Sequence, residues 1–231
     1  MATYTGTETE YLREALQSIA DQTLSPTEVI VVEDGPISNQ QASVLAAFED
    51  LLPMKRLKLP QNMGLAHALN HGLESCVHEI VFRADADDVN VVGRFENQYE
   101  MLKSNPAIAC CSGAILEMDE TMEEVVGKRN VPLSHDAIIR RMKWRNPINH
   151  PAAAFRKSAV LAVGGYPEGL PEDYMLWVKM MLAGHEFRNS AETFVYMRAG
   201  DSYFSRRGRR FSGGEIKVLK ELYLAGKVSW T

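Results

Sequence analysis

The chain has 231 residues, of which 45% are hydrophobic and 24% are charged, the composition of an ordinary globular protein with enough apolar side chains for a core. The formal net charge of −5 indicates no general affinity for nucleic acid. No apolar run approaches the roughly 18 residues that span a bilayer, and the polar N-terminus lacks a signal-peptide core. We therefore expect a cytoplasmic protein whose contact with a membrane is limited to the inner surface.

The first half of the chain alternates helical and strand patterns. Thr7–Glu10 has the form of a helix capping box. Val29–Val32 is a run of β-branched residues typical of a strand buried on both faces. Further helices are predicted around residues 44–52, 64–73 and 95–102, and further strands at 56–59 and 80–82. This alternation predicts a parallel sheet with helices on both faces.

The start of the chain departs from this pattern. A doubly wound sheet opens with a buried strand, whereas Met1–Tyr4 offers no apolar run. Two explanations stay open: the first strand is very short, or the chain lacks residues that a parent sequence had.

The pattern loosens after about residue 107. Strands are predicted at 107–118 and 124–127, and amphipathic helices near 135–143 and 172–183. We predict one compact unit over 1–231, with a nucleotide-binding type of half at about 1–106 and a mixed half at about 107–210. Residues 211–231 are predicted to form a basic amphipathic helix.

Three cysteines, Cys76, Cys110 and Cys111, give an odd count without zinc-type spacing. Neighbouring cysteines pair only with severe strain. We therefore predict free thiols, buried in a reducing compartment.

An acidic run, Asp85-Ala86-Asp87-Asp88, directly follows the predicted strand at 80–82. Carboxylates this close repel one another, and a divalent metal carrying phosphate relieves that repulsion. The alternative is a polar turn in which Asp88 caps a helix. Glu33-Asp34 ends another predicted strand, so both acidic segments face one crevice if the sheet is parallel. Glu172-Asp173 opens a helix, where acidic residues are common because they favour the macrodipole.

Together these motifs resemble family 2 glycosyltransferases of the GT-A fold. The resemblance runs in the family's order over about residues 3–210, and most closely it is similar to the bacterial exopolysaccharide and lipopolysaccharide branch of amylovoran and colanic acid synthesis. It implies an α/β fold with a mostly parallel central sheet flanked by helices and a mixed second lobe. The motifs are Val31–Gly35, Asn62–Leu73, Arg83–Asp88, Arg94–Gln98, His150–Pro151, Gly164–Tyr166 and Glu172–Trp177.

The resemblance also implies a role for each acidic segment. Asp87, with Asp85, would bind Mg²⁺ or Mn²⁺ at the donor diphosphate. Asp173, with Glu172 beside it, would be the base that deprotonates the acceptor hydroxyl. The implied nucleotide-binding residues are Thr3, Tyr4, Glu33, Asp34, Arg83 and Asp85.

Four further residues are candidates for donor or acceptor contacts: Asp88, His150, Trp177 and Arg206. For His150 a purely structural role is the alternative, and for Trp177 the alternative is packing in the core. The basic C-terminal helix fits a membrane surface as well as it fits docking onto the core.

The resemblance therefore implies an inverting transferase that moves a sugar from a nucleotide-diphosphate donor, a UDP-sugar, to a lipid-linked or saccharide acceptor in surface polysaccharide synthesis. The alternative is a non-catalytic or degraded nucleotide-binding protein that lacks the first strand. A sugar-nucleotide pyrophosphorylase is disfavoured because no Gly-rich phosphate loop follows a first strand. A Rossmann dehydrogenase is disfavoured because no G-x-G-x-x-G motif is present.

Overall fold

A computed structural model of the chain describes residues 1–169, 171–199 and 209–226. The strands in these ranges are β1 (Ala2–Thr3), β2 (Val29–Glu33), β3 (Met54–Lys58), β4 (Ile80–Phe82), β5 (Val89–Asn90), β6 (Ile108–Met118), β7 (Val125–Arg129), β8 (Ala154–Arg156) and β9 (Glu186–Arg198). The helices are α1 (Thr9–Ala20), α2 (Asn39–Glu49), α3 (Leu65–Ser75), α4 (Arg94–Ser104), α5 (His135–Met142), α6 (Lys157–Ala162), α7 (Glu172–Leu182) and α8 (Arg209–Leu224), with a short 3-10 helix at His150–Ala152.

The strands form two sheets rather than one. β1, β2 and β3 make a parallel sheet in that order, as predicted for the first half. The second sheet has the order β4-β8-β6-β9-β5, with β7 beside β6, and only β6 and β9 run parallel in it. The expectation that the acidic run ends a strand of the parallel sheet is therefore wrong, because β4 pairs antiparallel with β8 in the second sheet.

The first strand is very short, with two residues, and both explanations of its length stay open. The Met1 amino group donates to the Ile30 carbonyl, and the Val32 and Asp34 N–H groups donate to the carbonyls of Met1 and Thr3. An apolar cavity of about 160 Å³ lies where β2 and β4 approach each other beside Met1. β1 thus fills only part of the space between the two sheets.

A side-chain N-terminal cap forms at α2, whereas α1 has none. Ser38 and Gln41 form a reciprocal capping box, and the Gln41 amide also donates to the carbonyls of Tyr4 and Thr7. α1 follows Glu8 without a side-chain cap, so the capping box predicted at Thr7 is wrong. The buried Gln41 side chain therefore fixes the 4–7 turn against the start of α2.

A shared hydrophobic core supports the prediction of one compact unit. Leu69 and Leu73 of α3 pack in the same cluster as Phe155 and Trp177 from the second half. Val218 and Leu222 of α8 are fully buried in that cluster, which favours the docking interpretation of the C-terminal helix. Within the three described ranges, every helix is too short or too polar to cross a bilayer.

Arg94 is the most buried charged side chain near the acidic run, at 1% exposed. Its guanidinium donates to the side chains of Asn90 and Gln98 and to the carbonyls of Arg83 and Ala153. Burial lowers the pKa of Arg94 to about 9. Arg94 therefore joins β4, β8 and the start of α4 through neutral acceptors, each of which would be costly to leave unsatisfied.

We expect Arg94→Met to reduce the free energy of unfolding by about 3 kcal/mol, because it leaves several buried acceptors without a donor. Arg94→Lys should recover little of this loss, since an ammonium cannot reach acceptors arranged around a planar guanidinium. Urea unfolding measures both values. The matched control is Lys103→Met, an exposed cation on the same helix, and equal stability of the Arg94→Met and Lys103→Met variants would contradict this role.

Candidate functional site

The acidic run forms the connection between β4 and β5. The Arg83 guanidinium forms an ion pair with Asp85 and donates to the Ala84 carbonyl. Although burial opposes it, the charge of Arg83 holds the pKa of the Asp85 carboxyl below its usual value. Asp85 is thus kept ionised by a cation two residues away in the same turn.

The other two aspartates of the run differ in exposure. Asp87 is exposed, whereas Asp88 is buried and accepts a hydrogen bond from the Arg198 N–H at 3.1 Å. Burial, together with the charges of Asp85 and Asp87, raises the pKa of Asp88 well above its usual value. Asp87 therefore presents the accessible carboxylate, and Asp88 supports the turn from inside.

On the side of the parallel sheet, Asp34 binds the loop before α3. Its two oxygens accept hydrogen bonds from the N–H groups of Met63 and Gly64, at 2.6 and 3.0 Å. Gly35 follows with φ of +88°, and a Cβ there would lie 2.7 Å from the Asn62 nitrogen, so this approach requires glycine. The Thr3 hydroxyl lies buried on the adjoining strand with no hydrogen-bond partner among the described residues.

Glu33 has a structural partner across the sheet. Its carboxylate is buried and pairs with the Arg56 guanidinium at 2.7 Å. Arg56 also pairs with Glu49 at 3.2 Å. These contacts join β2, β3 and α2, and a contact between Glu33 and a nucleotide stays a prediction. Tyr4, also predicted to contact the nucleotide, is 45% exposed just beyond β1.

The second pair of carboxylates occupies the first turn of α7. Burial and the neighbouring Asp173 raise the pKa of Glu172 to about 7. Burial also raises the pKa of Asp173, while the Tyr174 N–H and the Asn146 amide favour its ionised form. Asp173 is half-buried and therefore reachable, whereas Glu172 is buried.

Asn146 orients the Asp173 carboxylate. The Asn146 Oδ1 accepts the Ile148 N–H at 3.1 Å, and its Nδ2 donates to Asp173 Oδ2 at 2.7 Å. Because a backbone N–H only donates, the amide has one consistent orientation, with its NH₂ group toward the carboxylate. The motif search missed Asn146, since a lone Asn 27 residues before Asp173 has no recognisable spacing.

Arg83 and His150 lie buried near these carboxylates. The charge of Arg83 lowers the pKa of Asp85 and opposes, as a minor influence beside burial, the raised pKa values of Glu172 and Asp173. Burial and Arg83 lower the pKa of His150 to about 3, so the imidazole is neutral. His150 Nε2 lies 3.0 Å from the Tyr166 hydroxyl.

Tyr166 is held by Asn70, a residue of α3. The Asn70 amide donates to the Tyr166 carbonyl at 2.8 Å, and its oxygen accepts the Tyr166 N–H at 2.7 Å. This pair of hydrogen bonds connects the first half of the chain to the Gly164–Tyr166 turn. His150 is consequently fixed by both halves, which supports a structural role and leaves a direct contact with the donor as a prediction.

The two remaining predicted contact residues are Trp177 and Arg206. Trp177 is fully buried, with its ring 6.3 Å from that of Phe155, which favours the core alternative and leaves an acceptor contact as a prediction. Arg206 lies outside the described residues.

The chemistry of the acidic run fits a divalent cation. Within the described residues, no three His, Cys, Asp or Glu side chains surround one point closely enough to hold a metal ion by themselves. Mg²⁺ is usually held through one or two carboxylates together with waters and substrate phosphates. The exposed Asp87, with Asp85 beside it, is a donor set of this kind. Burial, with the charges of Asp85 and Asp87, raises the pKa of Asp88.

The sequence profile of glycosyl transferase family 2 matches residues 1–164. A UDP-Gal:α-D-GlcNAc-diphosphoundecaprenol β-1,3-galactosyltransferase of Escherichia coli is 37% identical over 232 residues, covering 100% of this chain and 84% of the relative. An amylovoran biosynthesis glycosyltransferase of Erwinia amylovora is 36% identical over 213 residues, covering 91% and 79%. These matches confirm the resemblance that the motifs indicate.

Similarity to solved structures confirms the predicted α/β fold class. A mannosyltransferase from Pyrobaculum calidifontis, solved with GDP-Man and Mn²⁺, superposes with a TM-score of 0.69 at 19% identity. The alignment covers 98% of this chain and 68% of that one. At this identity the likeness concerns the GT-A fold alone.

We expect Asn146→Ala to raise the pKa of Asp173, because it removes a hydrogen bond that favours the ionised carboxylate. Carboxyl ¹³C NMR titration of Asp-labelled protein measures this pKa, and Asp173→Asn identifies the resonance. Asn39→Ala, an exposed asparagine at the start of α2, is the matched control. An Asp173 titration that is unchanged in Asn146→Ala would rule out this effect.

We expect Glu172→Gln to remove part of the pH dependence of stability. A folded-state pKa of about 7 against an ordinary 4.5 means that the folded protein retains a proton that the unfolded chain loses first. Protonated Glu172 thus stabilises the folded state, and this contribution to the free energy of unfolding is fully present below pH 4.5 and is lost as the pH rises to 7. At pH 8 the variant should exceed the native protein in stability by up to about 3 kcal/mol.

Urea unfolding at several pH values tests this expectation. The native protein and Glu172→Gln should converge at acidic pH and separate above neutrality. Glu168→Gln, an exposed acid before the same helix, should follow the native curve throughout. Parallel curves for Glu172→Gln and the native protein would refute the raised pKa.

Proposed function

The chain belongs to glycosyl transferase family 2, and we propose that it is an inverting, metal-dependent enzyme that transfers a sugar from a UDP-sugar to a lipid-linked or saccharide acceptor in surface polysaccharide synthesis. One observation carries the proposal: Asp173 is a half-buried carboxylate that the Asn146 amide orients at 2.7 Å, while Asp87 presents an exposed carboxylate in the acidic turn. These two groups would serve the acceptor side and the donor side of a transfer between two substrates.

The nucleotide is proposed to bind beside β1 and the end of β2. Among the residues that the structure describes, the buried Thr3 hydroxyl there has no hydrogen-bond partner, so it is available to a ligand. Asp34 already accepts two backbone hydrogen bonds, but its oxygens have further lone pairs, so it can also accept a hydrogen bond from the base. The uridine preference rests on the galactosyltransferase relative, whose name specifies UDP-Gal.

The diphosphate is proposed to bind at the acidic run. Asp87 and Asp85 would hold Mg²⁺ or Mn²⁺, which would neutralise the charge that develops on the leaving diphosphate. The Mn²⁺ in the solved mannosyltransferase complex supports this choice of cation. The protein's own contribution is positional, because Arg83 and Arg198 hold the turn in place.

Asp173 is proposed to be the catalytic base. The acceptor hydroxyl oxygen attacks the anomeric carbon from the face opposite the diphosphate, and the bond to the diphosphate oxygen breaks with its electron pair. The hydroxyl proton passes to Asp173, whose carboxylate is half-buried and oriented by Asn146. Glu172 is buried beside it, with a pKa of about 7, and its protonation changes the total charge of the Glu172–Asp173 pair.

The acceptor is proposed to be a sugar on a lipid diphosphate carrier. The galactosyltransferase relative is named for such an acceptor, N-acetylglucosamine on diphosphoundecaprenol. Contact with the inner membrane surface would follow from this choice of acceptor.

We expect Asp173→Asn to reduce transfer by about 10²- to 10⁴-fold, the usual contribution of a general base, while UDP binding persists. Asp87→Asn should instead weaken the binding of UDP in the presence of Mn²⁺. Calorimetry with UDP and Mn²⁺ and a transfer assay with UDP-sugars separate these two effects. Asp50→Asn, an exposed aspartate after α2, is the control.

The same measurements test the alternative of a non-catalytic protein. If the native protein fails to bind UDP with Mn²⁺, the nucleotide pocket is not functional and the non-catalytic hypothesis stands. Full transfer activity in both Asp87→Asn and Asp173→Asn would refute the proposed assignment of residues.

A further inference from the structure

The end of α5 and the turn after it carry basic side chains around an exposed tryptophan. Arg140, Arg141 and Arg145 are exposed, and Lys143 is partly exposed. Trp144 is 80% exposed, the highest value among the large apolar side chains that the structure describes. We call these five residues the α5 patch.

The backbone gives the α5 patch a fixed shape. The N–H groups of Trp144 and Arg145 both donate to the Arg141 carbonyl, which closes a turn at the helix end. Ile138 and Met142 face inward and are fully buried. The indole of Trp144 therefore stays at the surface on an anchored segment.

The charge of the α5 patch contrasts with the rest of the chain. Residues 137–167 contain no Asp or Glu, whereas the whole chain has a net charge of −5. Within the described ranges, no cation of the α5 patch forms an ion pair. The Lys and Arg residues of the 137–167 segment are Arg140, Arg141, Lys143, Arg145, Arg156 and Lys157.

A favourable interaction with the helix dipole explains only part of this arrangement. It accounts for Arg140 and Arg141 in the last turn of α5. It does not account for the further cations at Lys143 and Arg145, nor for the exposure of Trp144. Exposed cations alone are explained by their interaction with water. A large exposed indole surrounded by cations is instead typical of protein surfaces that lie at the interface of a bilayer.

We propose that the α5 patch is a membrane-contact surface that binds the anionic headgroups of a phospholipid bilayer and inserts Trp144 at the interface. Charge complementarity favours this partner, since Lys and Arg near an anionic bilayer surface each add to binding. The indole supplies an apolar ring with a polar N–H, the combination found at membrane–water boundaries.

The position of the α5 patch relates it to the acceptor side of the site, and this step rests on the proposed function. Asn146, which follows Arg145 directly, donates its amide to Asp173. A lipid-linked sugar lies at the bilayer surface, so docking through the α5 patch brings that surface to the side of the base. The C-terminal helix α8 serves this purpose less well, because Val218 and Leu222 are already buried in the core.

Vesicle co-sedimentation with the full chain tests the proposal. The native protein should bind vesicles of equimolar phosphatidylglycerol and phosphatidylcholine, and not phosphatidylcholine alone. Arg140→Gln/Arg141→Gln should weaken binding roughly 30-fold, since each cation near an anionic surface contributes about fivefold. Lys55→Gln/Lys58→Gln, two exposed cations of β3, should leave binding within about threefold of the native value, because this pair lies outside the proposed surface.

A second measurement tests the insertion of Trp144. Tryptophan emission should shift to the blue on addition of the anionic vesicles, and Trp144→Phe should abolish the shift. Trp144→Ala should also weaken binding, whereas Val77→Ala, another exposed apolar residue, should not. Absence of vesicle binding, or equal loss in the β3 control pair, would overturn the proposal. Equal affinity for DNA and for the vesicles would overturn it as well, because the surface would then bind any polyanion.

Transfer to a water-soluble acceptor separates this proposal from the proposed function. The Arg140→Gln/Arg141→Gln variant should keep that activity, since neither residue belongs to the site. Loss of vesicle binding with native transfer supports the α5 patch and leaves the enzyme assignment standing. Transfer that is absent from the native protein, with vesicle binding intact, would instead count against the proposed function alone.

Discussion

The acidic turn at Asp85–Asp88 is the constraint on which the arrangement of the two lobes depends. Such a concentration of carboxylates repels itself, and three arginines from different elements hold the turn and the backbone around it in place. Arg83 pairs with Asp85, Arg94 fixes the Arg83 and Ala153 carbonyls, and Arg198 holds the Asp87 carbonyl through its guanidinium and Asp88 through its N–H. Because Arg94 lies on α4 and Arg198 ends β9, positioning the turn also ties the second sheet to the first half of the chain.

Local sequence patterns predict the strands and helices that have a strong hydrophobic periodicity. They miss short elements whose structure depends on pairing with a distant part of the chain. The β-branched run at Val29–Val32 predicted β2, since a doubly buried strand is apolar throughout. β8 has only three residues, Ala154–Arg156, and the sequence offers no sign that it pairs with β4. Likewise, Ser38 and Gln41 have the same capping-box spacing as Thr7 and Glu10, but only the first pair forms the box. The buried contacts of Gln41, which the sequence does not reveal, distinguish the two pairs.

The candidate site shows the same contrast: the acidic residues are recognisable in the sequence, whereas the residues that support them are not. Charged motifs such as Glu172-Asp173 stand out because carboxylates beside one another are unusual near a core. Their supports do not stand out: Asn146 lies 27 residues from Asp173, and Arg198 lies 110 residues from Asp88. Adjacency also misleads, since successive residues of a strand point to opposite faces. Glu33 accordingly pairs with Arg56 across the sheet while Asp34 binds the loop before α3.

Burial and local donors together set the pKa values of the acids at this site. Burial opposes ionisation of Asp85, but the charge of Arg83 holds its pKa below the usual value. Burial raises the pKa values of Asp88, Glu172 and Asp173, and neighbouring acids add to the rise for Asp88 and Glu172. At Asp173 the Asn146 amide and a backbone N–H oppose the rise. The fold therefore places donors at Asp85 and Asp173, two of the carboxylates proposed to serve the cation and the acceptor proton.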